Sequence, residues 1–503
     1  MTCLGTTPIA ISSNTFDTST HTYGHSVLNV PIGSKQLYEQ ANEWKLFNNI
    51  RETVAVTDKF CYSVDDEQAT ASVIGRNTEV AFDGKADIPA SMTSGGKTYT
   101  VNGASLPNDR FIKSLSLPES FENRVGDFHG CTNLQTVILP NSIRTINNEA
   151  FRDCPKLANV TLGNSVERIE QKAFIGCTGL KSISFPESVC VIEKQGFENC
   201  GLEKVTFLGT GYSIGEKAFN GCQSLSQVVG LENVGYVNNQ GFANCALSGD
   251  LTFSSSLQTL DALAFAGNNI TSVSLPDTEF YIDGYAFQEN SQFHSFIVAA
   301  DNEIYFSIDG MLFERTENWE DGSPMNALEG CPPMQKVGGS IVRRDPVVVP
   351  EGTHAIWCQL GMNKIHHVVL PASLTELDYT ALGTARDLYS VTVKATTPLE
   401  IDEWTFSEEI FNRPSLTLYV PKGCISTYRA APYWDQFPNI REIGDVPTNI
   451  EDNNQYTITN NPSGADAVYD LQGRRLDNGS WLLDNGYCKP GVYIVGGKKI
   501  VIK

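Results

Sequence analysis

The chain has 503 residues, 41% of them hydrophobic, and a formal net charge of −22. That length exceeds one ordinary core, so several domains or an elongated repeat array is expected, and 25 Phe residues argue against wholesale disorder. A field of this sign repels phosphate backbones and anionic lipid heads, so nucleic acid is not an expected partner. No apolar run approaches the roughly 20 residues of a membrane-spanning helix, so no membrane insertion is expected.

The first segment, MTCLGTTPIAISSNTF, has neither the basic nor the apolar region of a signal peptide. Residues 6–52 instead recur, without gaps, as residues 396–442: Thr6, Pro8, Phe16, Tyr38, Trp44 and Phe47 return as Thr396, Pro398, Phe406, Tyr428, Trp434 and Phe437. The expected elements are a strand at Leu28–Val30, a Pro-x-Gly turn and an amphipathic helix with Leu37, Ala41 and Trp44 on one face. Pro432 is expected to end the second copy's helix early. Residues 1–56 therefore read as the closing piece of a preceding repeat module, with the export signal expected upstream. Residues 57–110 hold alternating, turn-punctuated runs such as Tyr62-Ser-Val64 and Tyr99-Thr-Val101, expected to form a small antiparallel cap over the end of the array.

From 111 to 300 the chain repeats. Phe128, Phe151, Phe174, Phe197, Phe219, Phe242, Phe265 and Phe287 recur every 22 or 23 residues, and Cys131, Cys154, Cys177, Cys200, Cys222 and Cys245 each follow a Phe by three. After the last two Phe the same place holds Asn268 and Asn290. Leu134-x-x-Val137-x-Leu139-Pro140 and its equivalents alternate and stop at Pro, the pattern of a short strand. A V-x-x-I step follows, as at Val166-x-x-Ile169, and then A-F-x-x-C, expected as one helical or 3₁₀ turn. One coil cannot bury both its Phe and its aliphatic set, whereas stacked coils make a continuous core around a parallel sheet. Neighbouring thiols at one position per coil would approach disulfide distance, yet the replacement by Asn268 and Asn290 favours a column of small buried residues.

This pattern resembles the BspA-like leucine-rich repeat of surface proteins of anaerobic bacteria, over about residues 57–443. The resemblance implies a leucine-rich-repeat solenoid, strand-rich α/β with short helical or 3₁₀ turns on its convex side and small β caps. It also implies a cell-surface or secreted protein that adheres to host matrix proteins, host receptors or other bacteria.

Residues 301–345 interrupt the repeat with Asp309-Gly-Met-Leu-Phe313, a hairpin signal, and a polar loop bearing Trp319, Glu320 and Asp321. Degenerate coils resume over 346–444, with Ile365-x-x-Val368-x-Leu370-Pro371 and Leu388-x-x-Val391-x-Val393. A linker at 445–463 leads to residues 464–503, where Gly496-Gly497 between apolar runs signals a hairpin. This tail resembles a C-terminal β module of exported bacterial proteins, some of which use it for secretion or anchoring.

No chemistry-bearing constellation stands out. Gly211-Tyr-Ser213-Ile-Gly215 matches a nucleophile-elbow pattern but falls on the V-x-x-I step of a coil, not on the strand-to-helix turn that the elbow needs. Adjacent His366 and His367 are expected on opposite faces of a strand, unlike ligands of one metal. The 13 cysteines include no C-x-x-C pair, and Asp309, Glu317, Glu320 and Asp321 lack calcium-loop spacing. No catalytic residue, cofactor or metal is expected. Candidate contacts are the loop residues Trp319, Glu320 and Asp321 and the outward strand residues Thr136, Asn159, Thr161, Lys204, Thr206 and Gln227. The expectation is a monomeric protein with a protein ligand on a host or bacterial surface. The alternatives are a glycan-capturing or glycan-degrading surface protein and a structural spacer.

Overall fold

The computed structural model describes residues 1–12, 15–16, 26–318, 321–337, 339–360, 365–379, 381–444, 468–469, 475–476, 491–495 and 498–502. The chain divides into two compact units, Met1–Leu247 with Ser256–Asn268 and Ser248–Ser255 with Asn269–Lys503.

In the first unit each coil contributes two strands rather than one. The alternating segments pair in parallel, as in Ser114–Ser116, Thr136–Ile138 and Asn159–Thr161, with Leu115, Val137 and Val160 in register. Ser182–Phe185, Lys204–Phe207 and Gln227–Val229 continue the same pattern. The V-x-x-I steps form a second parallel ladder from Asn123–Arg124 to Thr259–Leu260. Both aliphatic residues of each step are buried, as at Val166 and Ile169.

The A-F-x-x-C return is one tight turn and no α-helix. Glu149 and Asp153, or Gln195 and Asn199, bracket it with φ between 56° and 58°. Left-handed residues at both ends keep it to a single turn closed by i→i+3 bonds such as Arg152 N to Glu149 O, the 3₁₀ spacing among the expected alternatives. The Phe side chains point inward and stack. Ring centroids from Phe128 to Phe265 are 4.9–5.8 Å apart and nearly parallel.

The cysteine column follows from the same return. Cys154, Cys177, Cys200, Cys222 and Cys245 each donate Sγ–H to the carbonyl of the Phe one coil earlier, at 3.0–3.3 Å. Asn268 makes the same bond with Nδ2 to Phe242 O at 2.9 Å. The Cys-to-Asn replacement thus preserves a donor to a buried carbonyl. Burial pushes the thiols of Cys131, Cys154, Cys177 and Cys222 up to about 12. None of the described cysteines is in a disulfide.

A two-coil superperiod overlies the repeat. The second left-handed position reads Asn108, Gly130, Asp153, Gly176, Asn199, Gly221, Asn244 and Gly267. A Cβ on Gly130, Gly176, Gly221 or Gly267 would lie 2.3–2.8 Å from the Oδ1 of the preceding coil's Asn or Asp. Each Asn or Asp side chain therefore lies over the α-carbon of the next coil, where Gly leaves room for it.

The segment at 1–56 and its later copy fold alike. Val27–Pro31 pairs in parallel with Asn49–Val56, and Thr417–Val420 with Asn439–Glu442. Tyr38 OH donates to Gly5 O at 2.8 Å and Tyr428 OH to Ala395 O at 2.9 Å, while Trp44 and Trp434 donate Nε1–H to Ile9 O and Leu399 O, both at 2.8 Å. The helices span Lys35–Gln40 and Ile425–Arg429, so the copy carrying Pro432 is one residue shorter. The buried face is not the expected one. Leu37 is 49% exposed, because the helix stops at Gln40 and Trp44 sits on a separate 3₁₀ turn, so Tyr38 and Trp44 carry the packing.

The strand Asn49–Val56 also pairs with Phe60–Asp65, so residues 1–56 share a six-stranded sheet with the cap. That cap is not purely antiparallel, since Thr70–Arg76 runs parallel to Lys97–Ala104. In the second unit Tyr305–Ile308 and Met311–Glu317 form the hairpin expected at Asp309-Gly310, with positive φ at both turn residues. The strands Gly491–Val495 and Lys498–Ile502 pair antiparallel, and the Gly496-Gly497 turn between them lies outside the described residues.

Two outcomes test this construction. Gly221→Asn is expected to destabilise the protein by about 1–3 kcal/mol through the clash with Asn199, and adding Asn199→Gly to restore most of the loss; urea unfolding of the two variants measures it. Ellman titration of the denatured protein is expected to find all 13 thiols. In the native state at pH 8, exposed Cys190 reacts first and the column does not react. A shortfall after denaturation would establish bridges instead.

Candidate binding surface

On the first ladder the parallel register sets outward side chains in rows across the coils. Thr136 lies beside Asn159 and Ser114, and Ile138 beside Thr161. Ser182, Lys204 and Gln227 form another row, and Ser184, Thr206 and Val229 a fourth. All six sequence-picked strand residues are on this face, half-buried or exposed. The register brings Thr136, Asn159 and Thr161 together on adjacent strands and groups Lys204, Thr206 and Gln227 likewise. Ile138 (47% exposed) and Val229 (49%) are the large apolar residues of these rows. The surface is shallow, rich in short hydroxyl and amide groups, and held rigidly by the ladder beneath it.

Of the loop candidates, Trp319 and Glu320 lie outside the described residues. Asp321 is exposed and accepts a hydrogen bond from Ser323 N at 2.9 Å. The hydroxyl and N–H of Ser323 hold its carboxyl below the usual carboxylate range.

The second unit presents a cluster that the sequence reading dismissed. The strand begins at His367, so strand alternation does not extend to His366, and the two rings lie 6.4 Å apart rather than on opposite faces. His366 Nδ1 is 2.7 Å from Asp345 Oδ2, and His367 Nδ1 is 2.8 Å from Ser390 Oγ. Both rings approach Tyr389, at 5.3 and 6.3 Å, and the Arg413 guanidinium lies 5.5 Å from the same ring. No group of His, Cys, Asp and Glu among the described residues has the arrangement of a metal site. Ser213 sits in the second ladder between Val191 and Tyr236, with no strand-to-helix turn to expose it as a nucleophile.

A half-buried carboxylate cluster was also not legible. Burial, and then the nearby carboxylates of Glu314 and Asp283, push Glu329 up to about 7, and burial raises Glu314 as well. Nothing in the local pattern of two neighbouring strands signals this, because the interior side of a hairpin is set by its packing. A carboxyl raised in the folded state holds its proton more tightly there than in the unfolded chain. Its contribution to stability is therefore full below about pH 4.5 and is lost as pH rises through about 7. Glu329→Gln is expected to flatten that dependence and to be the more stable protein at pH 8, by on the order of 1–3 kcal/mol. Parallel pH curves for variant and wild type in chemical unfolding would contradict it.

No helix among the described residues is long and apolar enough to cross a membrane. No curated protein matches the chain. Among solved structures it is similar to a leucine rich cell surface protein from Faecalibacterium prausnitzii, at 17% identity over 78% of this chain and 96% of that one, TM-score 0.37. It is similar also to a leucine-rich repeat protein from Bacteroides ovatus, at 18% identity over 77% and 90%, TM-score 0.41, and to the pneumococcal vaccine antigen PcpA, at 16% over 78% and 99%, TM-score 0.32. These superpositions are weak, and the assignment rests on the repeat itself. Residues 107–226 and 212–321 match the BspA type leucine rich repeat region in six copies. Two ladders, a stacked Phe column and a Cys or Asn donor to each Phe carbonyl are the physical content of that repeat, and residues 107–321 are a BspA-type leucine-rich-repeat region.

Proposed function

We propose that the protein is a cell-surface or secreted binding protein that adheres to a protein ligand on a host or bacterial surface. The observation that carries this reading is the strand face, where outward residues on successive coils form continuous rows over a fixed backbone. A preorganised surface binds without first ordering its own side chains and loops, which lowers the entropic cost of association. Adhesion is what the family resemblance implies, and a shallow face of short polar side chains suits an extended protein surface better than a small molecule, which needs an enclosed pocket.

The test is capture of matrix proteins and bacterial surface proteins by the immobilised full chain, run beside a glycan array. Thr161→Arg combined with Thr206→Arg places two large side chains on the strand face. Capture is expected to weaken at least about tenfold, while thermal stability, as for most surface substitutions, shifts by less than about 0.5 kcal/mol. Saccharide binding with turnover, or protein capture indifferent to both substitutions, would overturn the assignment.

A further inference from the structure

The two copies of the closing segment keep one turn and differ in what that turn shows to solvent. In both, a Thr hydroxyl accepts the N–H of the residue three before it, Ser12 N to Thr15 Oγ1 at 3.1 Å and Asp402 N to Thr405 Oγ1 at 3.2 Å. Between 400 and 409 the residues unchanged from the first copy are Ile401, Thr405 and Phe406. Ile401 and Phe406 pack in the core and Thr405 is buried. The changed positions gain charge. Ser12 and Ser13 become Asp402 and Glu403, Ala10 becomes Glu400, and Thr18 and Ser19 become Glu408 and Glu409. The opposite exchange occurs once, between Asp17 and Ser407, and Asn14 becomes Trp404.

Trp404 is 66% exposed, the most exposed aromatic side chain among the described residues. Its backbone is held in place. Asp402 Oδ1 accepts the N–H groups of Trp404 and Thr405 at 2.9 and 3.0 Å and the Thr405 hydroxyl at 3.1 Å. Exposed Tyr379 stands on the neighbouring coil, which joins this segment at the Leu382–Phe406 bridge.

The carboxylates around the indole are largely unmatched. Glu409 meets Arg386 at 3.7 Å, whereas Glu400, Glu403 and Glu408 have no cation within ion-pair distance among the described residues. Lys394 and Arg413, the cations on either side in the chain, pair with Glu351 and Asp387. The face of an indole attracts a cation through its ring quadrupole, more strongly than that of Tyr or Phe. Unmatched carboxylates attract the same group and repel an anionic one.

We propose that the Trp404 turn docks a Lys- or Arg-bearing segment of a protein partner, with a cationic side chain seated over the indole and the carboxylates of Glu400, Glu403 and Glu408 drawing the segment in. The proposal rests on the reading of the chain as protein-binding and gives it the aromatic anchor that the strand face lacks.

The experiment titrates the full chain with N-acetyl-tetra-arginine amide in a calorimeter, with the tetra-norleucine peptide as the uncharged comparison. Saturable binding with a dissociation constant of about 1 mM or tighter is expected at low ionic strength, weakening as salt is added, with none for the norleucine peptide. The variants take their residues from the first copy, which folds alike. Trp404→Asn is expected to weaken binding about threefold without changing the charge. Glu400→Ala, Glu403→Ser and Glu408→Thr together are expected to weaken it about fivefold or more. Asp58→Asn, Glu67→Gln and Glu122→Gln together remove three exposed carboxylates from the first unit and are expected to leave it unchanged. Absence of saturable binding, indifference to Trp404→Asn, or an equal loss in the first-unit triple variant, the mark of general acidity, would overturn the proposal. So would binding of cellohexaose that Trp404→Asn abolishes. None of these outcomes touches capture by the strand face, whose substitutions lie in the other unit, so the two readings fail separately.

Discussion

The hydrogen bond from one coil to the Phe carbonyl of the coil before it is the constraint on which the repeat region depends. At the return the Phe carbonyl faces the core; Phe174, Phe197 and Phe219 accept the N–H of the Cys in their own turn, and the thiol of the next coil is the second donor to the same oxygen. The donor must be short enough to fit beneath the Phe stack and must reach back one coil. Cys meets both demands through Sγ, and Asn268 through Nδ2. The same placement explains why the thiols hold their protons, since each is buried beside a carbonyl and away from water. The left-handed residues that bracket the return aim the Phe inward and the donor backward. Their alternation between Gly and Asn or Asp follows because two such side chains cannot occupy neighbouring coils.

With the inward positions committed to this network, the outward positions of the strand face are left to vary. They hold short hydroxyl and amide side chains, while at the start of the returns ion pairs such as Lys194–Glu216 at 2.8 Å bridge neighbouring coils. Exposed pairs of this kind contribute at most about 1 kcal/mol each. They serve solubility and register more than stability. In the first unit the outward face is therefore extended and chemically uniform. The second unit adds titratable groups where the repeat is broken, in the Tyr389 cluster and at the Glu329 carboxyl. These features lie in or after the interruption at 301–345, where the pressure to repeat one coil is relaxed.

What could be read from the sequence was what every coil does alike. The Phe interval, the Cys column with its Asn replacement, the alternating strand and the duplicated closing segment all recur in register, so independent copies support one another. Strand-face residues such as Thr136, Asn159, Lys204 and Gln227 were legible for the same reason, because alternation about a buried Leu or Val sets their direction. The return was legible as one tight turn, but not its left-handed brackets, because the first of them holds residues such as Glu149, Lys172, Gln195 and Leu263 that carry no such signature. The second ladder was missed because its strands are only two to four residues long and pair only once coils are stacked.

The sequence by itself thus determined the class of fold, the inward set and the outward set, since periodicity of two within a strand and of 22 or 23 between coils is a local property repeated many times. Only the tertiary structure decided which Asn or Asp lies over which Gly, that His366 and His367 meet at Tyr389, and that Glu329 shares its field with Glu314 and Asp283. Each of these depends on residues that come together when coils stack. Their separation in the chain is set by insertions, and no repeat averages those out.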